Sequence, residues 1–107
     1  MEKHKFRGQK NSIAQNSKIV KLLKSEVLSS VSHLFRVMLG NSQEKVVDAL
    51  AALMISIYLL AKRLGISPVK IERKMQENLQ DNIDENHEIE ECYGDLSYLL
   101  NYLRKRD

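Results

Sequence analysis

From Val46 to Ala61 the chain reads VVDALAALMISIYLLA, sixteen residues in which only Asp48 and Ser56 are polar. A helix built from this stretch has no hydrophilic side, so something must cover it all round. In a chain that is otherwise 29% charged, this requirement constrains the fold more than any other feature. A bilayer would satisfy it, but a spanning helix needs about 20 apolar residues, and this run is shorter and carries an acid. The expectation is a central helix of a soluble domain, with no membrane partner.

The chain of 107 residues fits one domain with a modest core. Its four glycines and single proline are too few for the turns of many short strands, so the fold class expected is all-α. A single cysteine, Cys92, excludes an internal disulfide and the multi-cysteine zinc patterns. The basic start, MEKHKFRGQKNS, runs into no apolar segment of the secretory type, and a cytoplasmic location is expected.

Residues 1 to 17 lack sustained apolar periodicity and read as a flexible basic arm ahead of a helical domain at 18 to 107. From Lys18 onward, Val20, Leu23, Val27, Val31, Leu34 and Met38 recur at spacings of three and four, which predicts a first helix over about 18 to 39. Gly40 suits a left-handed cap at its end. Asn41 or Ser42 then caps a second helix to about Leu64, with Glu44 placed for a capping box on Asn41 and Gly65 as the stop. Ser67 and Pro68 open a third helix to about 84, whose apolar face is Val69, Ile71, Met75, Leu79 and Ile83. A fourth helix, about 88 to 104, carries Ile89, Cys92, Tyr93, Leu96, Leu99, Leu100 and Leu103, with Gly94 inside it permitting close helix contact.

Three partly polar helices in so short a chain cannot surround the second one. A homodimer, with helices one and two of both subunits forming a four-helix core, is the expected solution.

Residues able to do chemistry are few. No glycine-rich phosphate loop follows a strand, and no Cys or His pair has zinc spacing. Ser25, Ser29, Ser30 and Ser32 lie near His33, but no acid is placed to orient that histidine for nucleophilic catalysis. Glu26 and Asp48 are the interior acids of the two apolar helices: metal ligands, partners of a Lys or Arg, or residues at the edge of the buried face. Eight acids lie between Glu77 and Asp95 with no Lys or Arg, several at helical spacing, as a solvated face or a seat for a hard cation such as Mg²⁺ would have. Lys3, Lys5, Arg7, Lys10, Lys18, Lys21 and Lys24 stand against Glu2 alone at the other end, a cluster able to meet phosphates or an acidic partner. Phe6 is its one aromatic residue, so it holds no stacking platform.

DALAALMISIYLLAKRLGIS resembles the second core helix of MazG-like nucleotide pyrophosphohydrolases, in which Glu-Leu-x-Asp-x-Leu leads through an apolar stretch to Arg-Leu-Gly-Ile. KLLKSEVLSSVSHLFRVML is similar to their first core helix, which bears Glu-Glu-x-x-Glu, and KMQEN matches their Lys-x-x-x-Asn at Lys74 and Asn78. YGDLSYLLNYLRKR looks like the end of a short subfamily from spore-forming bacteria, so the resemblance covers 18 to about 104. It implies a four-to-five-helix bundle assembled as a homodimer or dimer of dimers, which hydrolyses nucleoside triphosphates to monophosphate and pyrophosphate. Several carboxylates would hold Mg²⁺ against the phosphates and position the attacking water.

The carry-over of those carboxylates is incomplete. The Glu-Glu-x-x-Glu motif falls on Ser25, Glu26 and Ser29, and the Glu-x-x-Asp motif on Ala49 and Ala52, so Glu26 alone of five acids survives as a metal ligand. Asp48 adjoins the fourth position but points about 100° away around the helix. The resemblance therefore implies a dimer that has lost Mg²⁺-dependent hydrolysis and serves as an interaction module or binds a nucleotide or other phosphorylated ligand. Lys74 and Asn78 are its nucleotide-binding candidates, and no cofactor is expected unless hydrolysis, and with it Mg²⁺, is retained. The alternatives are an active pyrophosphohydrolase using displaced acids, drawn from Glu26, Asp48 and the 77 to 95 run, and nucleic-acid binding through the basic arm.

Overall fold

A computed structural model describes residues 2–85, 88–89 and 94–106, with side chains described from residue 13 onward. Cys92 and Tyr93, expected on the last helix, and Glu90 and Glu91 of the acidic run lie outside the described residues. Among the described residues four helices, α1 (Glu2–Val37), α2 (Gln43–Arg63), α3 (Pro68–Asp84) and α4 (Asp95–Arg106), have defined bounds, and no strand occurs. The all-α class expected from the sequence is the one found. The chain divides into two compact units, Met1–Ile66 and Ser67–Asp107, a division inside the stretch 18 to 107 expected as one domain.

The first unit is a hairpin of α1 on α2. Leu23 and Leu34 are buried on α1, with Val20, Val27, Val31 and Val37 half-buried along the same side. On α2 Val46, Ala49, Leu53, Ser56 and Leu60 are covered, an alternation of three and four that keeps one seam against a partner helix, with Tyr58 half-buried and Ala61 buried besides. Ala49, only 2% exposed, lets the backbones approach there. Ser56 is buried without an orphaned hydroxyl, because its Oγ donates to the Ala52 carbonyl at 3.0 Å.

The α1 helix begins at Glu2, and the boundary expected at residue 17 is not a break in its backbone. Lys, Arg, Gln and Glu are good helix formers, so a helix continues past the point where its apolar face ends. Its C-terminus also differs from expectation. The helix stops at Val37, and Gly40 is not one of the glycines with positive φ; its N–H simply donates to the Val37 carbonyl at 3.1 Å.

Local chemistry fixes both ends of α2. Ser42 is the cap, its Oγ accepting the Lys45 N–H at 3.2 Å, which puts Glu44 one residue short of a capping-box position but still in the first turn, where a negative charge is favoured. At the other end Gly65 takes φ +79°, the Ile66 N–H reaches the Ala61 carbonyl at 2.9 Å, and the Gly65 N–H reaches Lys62 at 3.0 Å. These are the paired bonds of a Schellman stop.

The rest of α2 stays open. Val47, Leu50, Met54 and Ile57, which form the adjoining seam, and Ile55 and Leu59 beyond it are all exposed, between 43% and 58%. The cover demanded by an all-round apolar helix is thus supplied by α1 along one seam only.

In the second unit α3 packs on α4. Ser67 accepts the Lys70 N–H at 3.2 Å and Pro68 follows at the first helical position, as expected. Leu79, Leu100 and Leu103 form the core, with Met75, Ile83 and Leu96 packed around them. Val69, placed on the apolar face by periodicity, is exposed instead. Glu72 pairs with Arg106 and Gln80 with Arg104, an order that makes the two helices antiparallel.

Gly94 departs most from expectation. It has φ +66° and precedes α4, which starts at Asp95, and a Cβ built on it would meet no atom within 4 Å. It is the residue before a helix, required for its backbone angle, and makes no close helix contact.

Candidate functional site

Glu26 lies on α1 between the buried Leu23 and the half-buried Val27, and is itself exposed, as are Ser25 and Ser29. Of the corresponding α2 positions, Ala49 is buried on the α1 seam and Ala52 is exposed. Asp48, one residue from Ala49 and so turned about 100° from it, is also exposed. The two interior acids of the first unit therefore lie off its packed seam. Among the described residues, no group of three or more His, Cys, Asp or Glu side chains is placed to hold a metal ion.

The acidic run is a solvent-facing surface where it is described. Asp81, Asp84, Glu85, Glu88 and Asp95 are all exposed, and Asp84 accepts a hydrogen bond from Gln80 Nε2 at 3.0 Å.

Lys74 and Asn78 belong to the second unit. They sit one turn apart on α3, beside but outside the row formed by Met75, Leu79 and Ile83, and both are exposed. Lys74 Nζ lies 3.4 Å from Glu77 Oε1, with both side chains more than half exposed, so the pair is weak and the ammonium remains open to a competing anion. A cation and an amide four residues apart on one helical face can together meet a phosphate and a neighbouring polar group.

Two surface depressions involve other residues. One, of about 490 Å³, is lined by Ile13, Gln15, Asn16, Ile19 and Arg63 where the hairpin of the first unit closes. The other, of about 270 Å³, lies along α3 over Val69, Glu72, Arg73 and Gln76. Glu26, Lys74 and Asn78 line neither. Asn16 falls in the stretch read from its composition as an arm, and no periodic signal marks it. Arg73, next to Lys74 in sequence, is visible there only as one more basic residue.

No curated protein and no solved structure matches the chain. The model of the MazG-like family matches residues 13–96, beginning inside the expected arm and ending near the start of α4. That span takes in the hairpin of the first unit from its first described side chain, together with all of α3. The chain belongs to the MazG-like family.

Proposed function

We propose that this MazG-like protein has lost Mg²⁺-dependent nucleotide hydrolysis and works as a homodimer, or a dimer of dimers, that binds a partner or a nucleotide-like phosphorylated ligand. The observation that carries the proposal is the set of residues at the five positions where relatives are acidic: Ser25, Glu26, Ser29, Ala49 and Ala52. Mg²⁺ demands near-octahedral oxygen ligation, and with Glu26 as the one carboxylate, substrate and water would have to supply everything else. These residues do not fit the ion.

Dimerisation is supported by the open seams of α2. A row of exposed Val47, Leu50, Met54 and Ile57 on an otherwise charged protein is the kind of surface a second copy covers. Neutral residues in place of acids would also relieve repulsion between helices facing each other across that core. Lys74 and Asn78 are the candidate ligand contacts on charge and exposure. A cytoplasmic location goes with this reading, and among the described residues no single helix is long and apolar enough to cross a membrane.

Calorimetry with a panel of nucleotides, with and without Mg²⁺, and pyrophosphate release from common and modified triphosphates test the proposal together. Heat that is independent of Mg²⁺, lost in Lys74→Ala and unaccompanied by pyrophosphate is the expected result. Heat from none of the nucleotides restricts the function to protein interaction. Turnover that disappears in Glu26→Gln would establish an active enzyme and end the proposal.

A further inference from the structure

One end of the α3–α4 hairpin collects positive charge. The Glu72–Arg106 bridge, 3.3 Å, sets the last turn of α4 beside the first half of α3. Lys70, Arg73 and Lys74 lie within a turn of Glu72, and Arg104 and Lys105 adjoin Arg106. Among the described residues, the acids beside these cations are Glu72 and Glu77, paired with Arg106 and Lys74 respectively. The exposed Asp81 and Asp84 fall in the other half of α3, Glu85 caps its end, and Asp95 lies at the other end of α4, so the hairpin is electrically polar along its length.

Two aromatic rings lead into the basic end. Tyr98 is 76% exposed and Tyr102 54%, and residues four apart lie on one helical face, about 6 Å apart along its axis. The Arg106 guanidinium sits 5.9 Å from the centroid of the Tyr102 ring, one further turn along the same row. Two exposed tyrosine rings in line with a cation offer π-faces beside a positive field.

We infer that this face of α4, at the basic end of the hairpin, binds single-stranded nucleic acid: bases stack on Tyr98 and Tyr102, and phosphates run past Lys105 and Arg106, which lie within about 60° of Tyr102 around the helix. Stacking needs a π-face and no particular base, so binding is tolerant of sequence. An anionic membrane would reward deep aliphatic side chains at this face, and an acidic protein would need no pair of open rings. Residues 97–106 lie beyond the stretch matched by the family model, and the surface uses none of the N-terminal lysines.

The test is titration of the full chain with a labelled single strand of about 12 nucleotides, within the range that one such surface covers. Affinity is expected to fall with salt with a log–log slope of roughly −1.4, as two phosphate contacts give for a single strand. The double variant Tyr98→Ala/Tyr102→Ala is expected to bind at least roughly tenfold more weakly, and Tyr98→Phe/Tyr102→Phe to bind as the parent does, because the ring is kept. Lys105→Glu weakens binding by charge alone, and far-ultraviolet circular dichroism checks that each variant remains helical. Unchanged binding by the alanine pair, equal loss in the phenylalanine pair, loss confined to removal of residues 1–17, or capture of phosphatidylserine vesicles but not the oligonucleotide would each overturn the inference.

Discussion

The side-chain amide of Asn16 donates to the main-chain carbonyl of Arg63 at 3.3 Å, tying together residues 47 apart in the chain. Arg63 ends α2, where the last carbonyls have no intrahelical donor, so Asn16 both satisfies one of them and closes the open end of the α1–α2 hairpin. A single hydrogen bond of this kind contributes about 0.5–1.5 kcal/mol, and partial exposure puts this one toward the lower figure. Asn16→Ala is expected to lower the urea midpoint slightly without changing the slope, and to raise amide exchange over 61–66 more than over 42–46. Equal exchange at both ends would mean that the bond is not the clamp.

Gly65 and Gly40 provide a matched pair. Gly65 holds φ +79° in open space, so the cost of a Cβ there is conformational rather than steric, about 1–2 kcal/mol for an L residue in the left-handed region. Gly40 lacks the positive φ, and its Cβ would rest 3.6 Å from the Val37 carbonyl oxygen, an ordinary contact. Thermal melts should show Gly65→Ala destabilised and Gly40→Ala neutral or slightly stabilised through a less flexible unfolded chain. The reverse order would contradict the assigned caps.

The open seam of α2 predicts its own disruption. Leu50→Glu with Met54→Glu places two carboxylates on the surface proposed to meet a second copy, while both positions are already exposed within the chain. Light scattering should then report a monomer where the parent protein is a dimer, and the parent melting temperature should rise with concentration while that of the variant does not. A parent that is monomeric at all concentrations removes the dimer.

Placing at position 49 the acid that the resemblance assigns there is expected to fail. Ala49 is 2% exposed on the α1 seam, so Ala49→Glu buries a carboxylate without a partner and costs at least about 2 kcal/mol. The exposed Ala52→Asp should cost far less within the chain. Comparison of their denaturant midpoints separates the two sites. If Ala49→Glu is tolerated as well as Ala52→Asp, the seam is looser than its burial indicates.

The neutrality of four candidate site positions was legible in residue identity alone. Ser25, Ser29, Ala49 and Ala52 are neutral wherever they sit, and reading them against the MazG-like pattern required no coordinates. Their exposure was not legible. Ser25 and Ser29 are open while Ala49 is sealed, because which side of α1 and α2 turns inward depends on how the pair packs. The Asn16 clamp was equally hidden, since it joins two positions with no local signal between them.

The sequence by itself determined the all-α class and the helix ends governed by neighbours a few residues away. Ser42, Ser67, Pro68 and Gly65 act through hydrogen bonds and backbone angles that the local chain already specifies. Tertiary structure decided which seam of the uniformly apolar α2 meets α1, and revealed Gly94 as the residue before a helix rather than one within it. A helix that is apolar on every side carries no preferred inward direction, so only packing against a specific neighbour can choose among its faces.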